Sequence, residues 1–323
     1  MAAPLLEVRD LAVTLGAARL VDGVSFTIGR GEIFGLVGES GSGKTLTALA
    51  LMRLLAPFLR TSGSVTFEGR DLLALSEREM RGVRGGRIGM IFQEPTAALN
   101  PVFSIGTQIE AAVSAHTTLR GRALRARAAE LLAQVGIPDP AGRLGFYPHQ
   151  LSGGMCQRVM IAMALAGGAR LLIADEPTTA LDVTIQEEIV GLIEDLVLQT
   201  GISVLFISHD LGLVARLCHR IAVAYAGEIV EIGAAGRLLR APTHPYTKGL
   251  VRCVPQIHAV GVLQRGIPGA PPPAGAWPTG CRFAPRCPEA AADCAAPQAL
   301  SPLPGGGARC WRSRVAAPAL ERA

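Results

Sequence analysis

Apolar and polar positions alternate through residues 5–15, the pattern of a strand with one covered face. A second strand is predicted over 24–28. After the turn Gly29-Arg30-Gly31-Glu32, a third is predicted over 33–37, where Ile-Phe-Gly-Leu-Val is nearly all apolar and flanked by glycines. The residues after Gly43 follow helical spacing, so a strand, a glycine loop and a helix run in succession. Another strand is predicted over 87–92. Helical spacing fills about 105–135, Pro138, Pro140 and Pro148 interrupt it, and a helix is predicted to follow 151–154. Buried strands over 171–174 and 203–207 enclose a helix over 185–198. This alternation implies an α/β fold with a mostly parallel sheet covered on both faces. Residues from about 94 to 165 would then form an all-helical insert.

Beyond Ile232 the pattern weakens. Helical pieces over 234–239 and 246–254 give way to a proline-rich run over 267–278, expected to be an extended linker, and then to a cysteine-bearing tail. The expected organisation is one domain over 1–233 and an extension over 234–323. Half of the 323 residues are apolar, enough for a sizeable core, yet the longest uncharged apolar run, 159–169, has eleven residues. A membrane-spanning helix needs about 20. No signal peptide is expected from the first ten residues, which predicts a cytoplasmic protein whose membrane role runs through partners. The net charge is +5 and the basic excess is nearly all arginine, with Lys44 and Lys248 the only lysines. The arginines are scattered, which fits codon bias better than a nucleic-acid patch.

Candidate chemistry begins at Gly38-Glu-Ser40-Gly41-Ser42-Gly43-Lys44-Thr45, which matches G-x-x-x-x-G-K-[ST] between a predicted strand and helix. Small residues let the backbone wrap round an anion, and the helix start adds its positive end. Lys44 is placed to neutralise β- and γ-phosphates and the Thr45 hydroxyl to ligate Mg²⁺. One of only two lysines fills that slot, which argues against coincidence. Asp175 ends a predicted strand and Glu176 follows it. Downstream of a phosphate loop, the first carboxylate suits Mg²⁺ and the second suits the attacking water; alone, the pair would equally describe a solvated turn.

Leu151-Ser152-Gly153-Gly154-Met-Cys-Gln157-Arg158 resembles the signature of ABC ATPases, and Leu171-Leu-Ile-Ala-Asp-Glu-Pro follows it seventeen residues later. A serine cap and glycine amides at a helix start form an anion site by the same physics as the phosphate loop. Gln93 resembles the glutamine that links γ-phosphate sensing to the membrane partner and joins Thr45 and Asp175 at Mg²⁺, 179–182 with Asp182 the loop at the dimer interface, and His209 the switch histidine. The resemblance covers roughly 5–232 and implies a P-loop NTPase core with antiparallel N-terminal strands, a helical signature subdomain and ATP with Mg²⁺ as cofactors. In that pattern Glu176 activates water, His209 and Lys44 stabilise γ-phosphate charge, and Ser152 serves the ATP of a second ATPase subunit.

Pro95-Thr-Ala-Ala-Leu-Asn-Pro-Val-Phe-Ser-Ile-Gly106, Thr243-His-Pro-Tyr-Thr247, Ile267-Pro-Gly-Ala-Pro-Pro272 and the tail 280–288 resemble the dipeptide/oligopeptide importer subgroup. That implies a heterodimer of ATPases with two permease subunits and an extracytoplasmic solute-binding protein, at the cytoplasmic face of the membrane, without nucleic acid. Nickel chelates or glutathione as solute, an exporter, and a soluble ABC ATPase on nucleic acid are the alternatives. Cys281, Cys287, Cys294 and Cys310 have spacing C-x5-C-x6-C-x15-C. Four thiols within thirty residues suggest a metal, but the spacing misses the usual zinc and ferredoxin patterns. Zinc, a cluster and free thiols stay open on spacing; the subgroup resemblance points to [4Fe–4S]. Leu15 stands where the family places an aromatic ring against adenine. Leu15→Tyr is therefore expected to tighten ATP binding roughly threefold relative to GTP; a fluorescence titration in which neither affinity changes would refute this.

Overall fold

The chain is described from a computed structural model over residues 3–93, 98–179, 181–254 and 266–315. In chain order its strands are β1 (Leu6–Leu15), β2 (Ala18–Ile28), β3 (Ile33–Val37), β4 (Leu59–Phe67), β5 (Arg70–Asp71), β6 (Ile88–Ile91), β7 (Leu171–Asp175), β8 (Ser203–Ser208), β9 (Arg220–Tyr225), β10 (Glu228–Ala234), β11 (Ser301–Leu303) and β12 (Gly306–Ala308). The helices used below are α1 (Lys44–Leu51), α2 (Glu77–Val83), α3 (Ile105–Ser114), α4 (Gly121–Gln134), α5 (Gly153–Leu165), α6 (Val183–Thr200), α7 (Leu211–Leu217), α8 (Ala235–Arg240) and α9 (Pro245–Arg252). Among the described residues no helix is long and apolar enough to cross a membrane.

The described residues fall into two compact units. The first is drawn from Met1–Ile28, Ile33–Leu73 and Ile207–Ala323. It carries the antiparallel sheet β2-β1-β4-β5 and the strip β11-β12-β10-β9-β3. β3 runs parallel to β9, with Phe34 opposite Arg220 and Val37 opposite Val223. All five β3 residues are buried, which is why its sequence lacks the alternation of a half-exposed strand. β9 and β10 form a hairpin whose turn, Ala226-Gly227, has positive φ at both residues (46° and 81°), as a two-residue turn matched to strand twist requires. The tail strand β12 pairs with β10 from Glu231 opposite Ala308 to Gly233 opposite Gly306, so the cysteine-rich end extends the same strip.

The second unit is drawn from Gly29–Glu32 and Ala74–Phe206. It orders β8-β7-β6, with β6 parallel to β7. From Asn100 to Leu165 its described residues form helices and turns with no strand. The helical spacing predicted over 105–135 resolves into α3 and α4, separated at 115–120.

The predicted strands at 33–37, 171–174 and 203–207 are present within one residue of their expected ends. Not predicted were β4, β5, β9, β10, α2, α7 and the tail hairpin. β4 reads Leu-Arg-Thr-Ser-Gly-Ser-Val-Thr-Phe and is exposed over most of its first half, so it owes its strand form to pairing with β1 rather than to an apolar pattern. The linker run 266–280 has no helix or strand, as expected, but it does not float: the Arg282 guanidinium lies 3.9 Å from the centre of the Trp277 ring.

One buried carboxylate organises the start of the extension. Glu231 in β10 is fully buried. Its Oε1 accepts from Arg237 Nη2 (2.9 Å) and the Thr243 N–H (2.9 Å), and its Oε2 from the His244 N–H (2.9 Å). It thus joins α8 to the start of α9. Glu231→Ala would strand a guanidinium and two amides without their acceptor, and is expected to destabilise the chain by about 3 kcal/mol in chemical denaturation.

Candidate active site

In the first unit, the loop Gly38 to Gly43 links buried β3 to α1. A side chain on Gly38 would collide with the Ala224 carbonyl oxygen. Gly43 caps α1 with φ 93°, and a Cβ there would meet Val21 Cγ2 at 3.1 Å and the Leu20 carbonyl at 3.2 Å. Both positions therefore need glycine, one for space and one for conformation as well. Lys44 is buried, and its ammonium folds back over the loop, donating to the carbonyls of Gly38 (2.8 Å) and Glu39 (3.1 Å). Ser40 and Gly41 face solvent or nearly so, Ser42 is buried, and Thr45 is exposed on the first turn of α1. His209 is exposed immediately after β8, and Asp210 caps α7 by accepting the Leu213 N–H at 3.0 Å. Leu15 is half exposed at the end of β1.

Residues not anticipated from sequence surround this loop. The Tyr246 hydroxyl accepts the Glu39 N–H at 2.9 Å. Arg286 grips the Glu39 carboxylate with both terminal nitrogens, at 2.7 and 3.0 Å. The Gly227 N–H donates to the Ser42 carbonyl at 3.1 Å. Tyr225, Tyr246 and Phe283 pack ring against ring at 4.6 to 5.3 Å beneath these contacts. Burial raises the Tyr246 hydroxyl further above its ordinary range, so it stays protonated. The sequence signals were the resemblances of 243–247 and 280–288 to the importer subgroup, which assigned no role to Tyr246, Phe283 or Arg286.

The second unit carries the acidic and signature motifs. Asp175 ends β7 and is 3% exposed. Glu176 follows in the left-handed region (φ 48°), with its carboxylate accepting from the Thr179 hydroxyl at 2.9 Å and its carbonyl from the Thr179 N–H at 3.1 Å. Asp182 caps α6 by accepting the Ile185 N–H at 3.0 Å, and Gln186 Nε2 donates to the carbonyls of Thr178 (3.1 Å) and Leu181 (3.2 Å). Ser152 caps α5, accepting the Met155 N–H at 3.3 Å. A Cβ on Gly154 would sit 2.7 Å from Ile185 Cγ2, so that glycine lets α5 approach α6. Gln157 is buried, and among the described residues neither amide atom has a hydrogen-bond partner. Gln93 is exposed just beyond β6. Ala180 of the 179–182 loop, and 95–97 of the stretch after Gln93, lie outside the described residues.

The four tail cysteines come together. Cys281, Cys287, Cys294 and Cys310 line one narrow void with His244 and Glu289. The Glu289 N–H donates to Cys287 Sγ at 3.3 Å, backbone amides of Phe283 and Ala284 serve Cys281, and that of Arg312 serves Cys310. Burial pushes the Cys281 thiol up to about 11, with the nearby Cys294 adding to the rise. Burial pushes His244 down to about 3, so its neutral ring accepts the Tyr246 N–H at 3.1 Å. Among the described residues, no group of three or more His, Cys, Asp or Glu side chains is arranged to hold a metal ion.

The ABC transporter family model matches residues 21–179, and the model for the oligopeptide/dipeptide transporter C-terminal region matches 230–294. The dipeptide transport ATP-binding protein DppD of Escherichia coli is 46% identical over 94% of each chain. Its Bacillus subtilis namesake is 47% identical over 88% of this chain and 87% of its own. The oligopeptide transport ATP-binding protein OppD of B. subtilis is 48% identical over 87% of this chain and 80% of its own. Among solved structures, the ATP-binding cassette MJ0796, dimeric in a post-hydrolysis state with ADP and Pi, aligns with TM-score 0.63 and 27% identity over 71% of this chain and 98% of its own. The structure of cbiO1 from Clostridium perfringens, part of the ABC transporter complex cbiONQ, aligns with TM-score 0.66 and 25% identity over 74% of this chain and 92% of its own. A phosphate loop and a signature helix, followed by a peptide-transporter extension, thus occur together in one α/β chain, and it belongs to the ATP-binding subunits of ABC transporters, in the dipeptide/oligopeptide importer family.

Proposed function

We propose that this chain hydrolyses ATP to drive import of dipeptides or oligopeptides, working at the cytoplasmic face of the membrane with permease subunits. The match of 230–294 to the oligopeptide/dipeptide transporter C-terminal region carries the substrate class. The loop with its folded-back Lys44 supports the nucleotide role. In this scheme Lys44 and the amides of 41–45 hold the phosphates, while Thr45 and Asp175 are the residues for Mg²⁺, which would screen phosphate charge. Glu176 takes the proton of the attacking water, with Gln93 and His209 facing the γ-phosphate. Ser152, Gly153, Gly154, Gln157 and Asp182 serve nucleotide shared with a second ATPase chain, and the dimeric state of MJ0796 supports such a pairing. A different ATPase chain as that mate, and a solute-binding protein outside the membrane, complete the proposed assembly.

Glu176→Gln tests the core of this assignment. It is expected to retain ATP binding while turnover falls at least about 100-fold; hydrolysis at the wild-type rate would refute it.

The convergence of four thiols on one void, with backbone N–H groups aimed at three of the sulfurs, supports a metal centre in the tail. Four cysteines would serve zinc as well as iron, and the resemblance to the importer subgroup is what favours a [4Fe–4S] cluster held by Cys281, Cys287, Cys294 and Cys310. Such a group would supply a covalent staple across the tail loops, and its positive charge would offset the cost of buried thiolates. Anaerobically purified protein is expected to be brown and to contain iron and acid-labile sulfide. A colourless, iron-free protein would overturn the cluster in favour of zinc or free thiols.

A further inference from the structure

The first two tail cysteines are each next to an arginine that leaves the tail. Arg282 follows Cys281, Arg286 precedes Cys287, and Phe283, only 2% exposed, anchors the segment between them. Arg286 spans 247 residues of sequence to bind Glu39, the second residue of the phosphate loop. Its side chain is 4% exposed. Its Nε donates to the Pro268 carbonyl at 2.9 Å and its Nη1 to the Tyr225 hydroxyl at 3.3 Å, so the fork is oriented before it meets the carboxylate. Tyr246 holds the backbone of the same residue through the Glu39 N–H.

Arg282 reaches the other side of the loop. It donates to the Ala226 carbonyl at 2.6 Å and pairs with Asp22. Ala226 lies in the left-handed region, so this contact braces a strained turn. Trp277 covers Gly227 so closely that a Cβ there would collide with the ring. From this turn the Gly227 N–H reaches the Ser42 carbonyl, and the Asp22 N–H returns to the Gly227 carbonyl at 2.7 Å. Tail residues thus brace the loop directly at Glu39 and indirectly at Ser42.

We infer that Arg286, backed by Tyr246, is a positioning residue for nucleotide: the cysteine-rich tail sets the shape of the phosphate loop, and so its affinity for ATP. This rests on the loop being the ATP site. Arg286 touches Glu39, not the phosphates, so its loss changes how well the amide cradle is preformed. The integrity of the tail around Cys281 and Cys287 is felt at the loop through the two arginines.

The test uses the full chain and titration with a fluorescent ATP analogue, recording both Kd and the number of binding sites. Arg286→Gln and Glu39→Gln are each expected to raise Kd on the order of tenfold with the number of sites unchanged. The double variant is expected to bind no worse than either single one, because both remove the same pair. Arg286→Lys, which keeps charge but loses the fork, is expected to recover part of the affinity. A purely structural role would lower the number of sites, or the melting temperature, and leave Kd alone; that result overturns the inference, as does an additive double variant. Lys44→Ala separates this from the underlying assignment: if it binds the analogue as the wild type does, the loop is not the nucleotide site.

Discussion

An anion-binding loop reserves its amide hydrogens for the ligand, so it cannot be shaped by the internal hydrogen bonds that fix a helix or a sheet. Its conformation has to be imposed by what surrounds it. Here β3 enters from a fully apolar strand, which fixes the entry. Gly43 closes against Val21 and Leu20, which fixes the exit. The carbonyls turn outward to partners that shape without blocking: Ser42 to Gly227, and Gly38 and Glu39 to the Lys44 ammonium. Two loop amides go to protein partners: the Glu39 N–H to the Tyr246 hydroxyl at the mouth of the loop, and the Ser42 N–H to the Glu39 carbonyl at 3.2 Å. Arg286, Tyr246 and the turn at Gly227 all bear on the shape of this loop.

The acidic turn of the second unit meets the same need by a local route. Glu176 adopts a left-handed backbone in front of Pro177, a conformation costing roughly 1–2 kcal/mol for a residue with a side chain. Two bonds from Thr179, one to the carboxylate and one to the carbonyl, close a tight turn around it. Gln186 then ties 178 and 181 to the first turns of α6, and Asp182 caps that helix. Each brace lies within about two turns of chain from what it braces. The strain is held by neighbours in sequence, so the carboxylate is aimed as soon as β7 and α6 are in place.

This contrast explains what could be read from the chain beforehand. Local devices leave local patterns: the apolar runs of β3, β7 and β8, the glycines of the phosphate loop, the serine before Gly153 and the aspartate before Val183 all announce themselves within a few residues. β4 was not legible, because its polar residues are strand only by virtue of β1 beside them. The tail hairpin was not legible either, because Ser-Pro-Leu and Gly-Gly-Ala carry no alternation and become strands by lying along β10. The pairing of Arg286 with Glu39 is the extreme case. Neither residue is unusual in its own neighbourhood, and 247 positions separate them. An exposed ion pair of this kind would contribute little. Burial of the guanidinium and its two-point grip make it a constraint on geometry instead, since a desolvated fork tolerates few arrangements of the carboxylate it holds. A chain that binds its phosphate loop to its far end in this way cannot change the shape of one without disturbing the other.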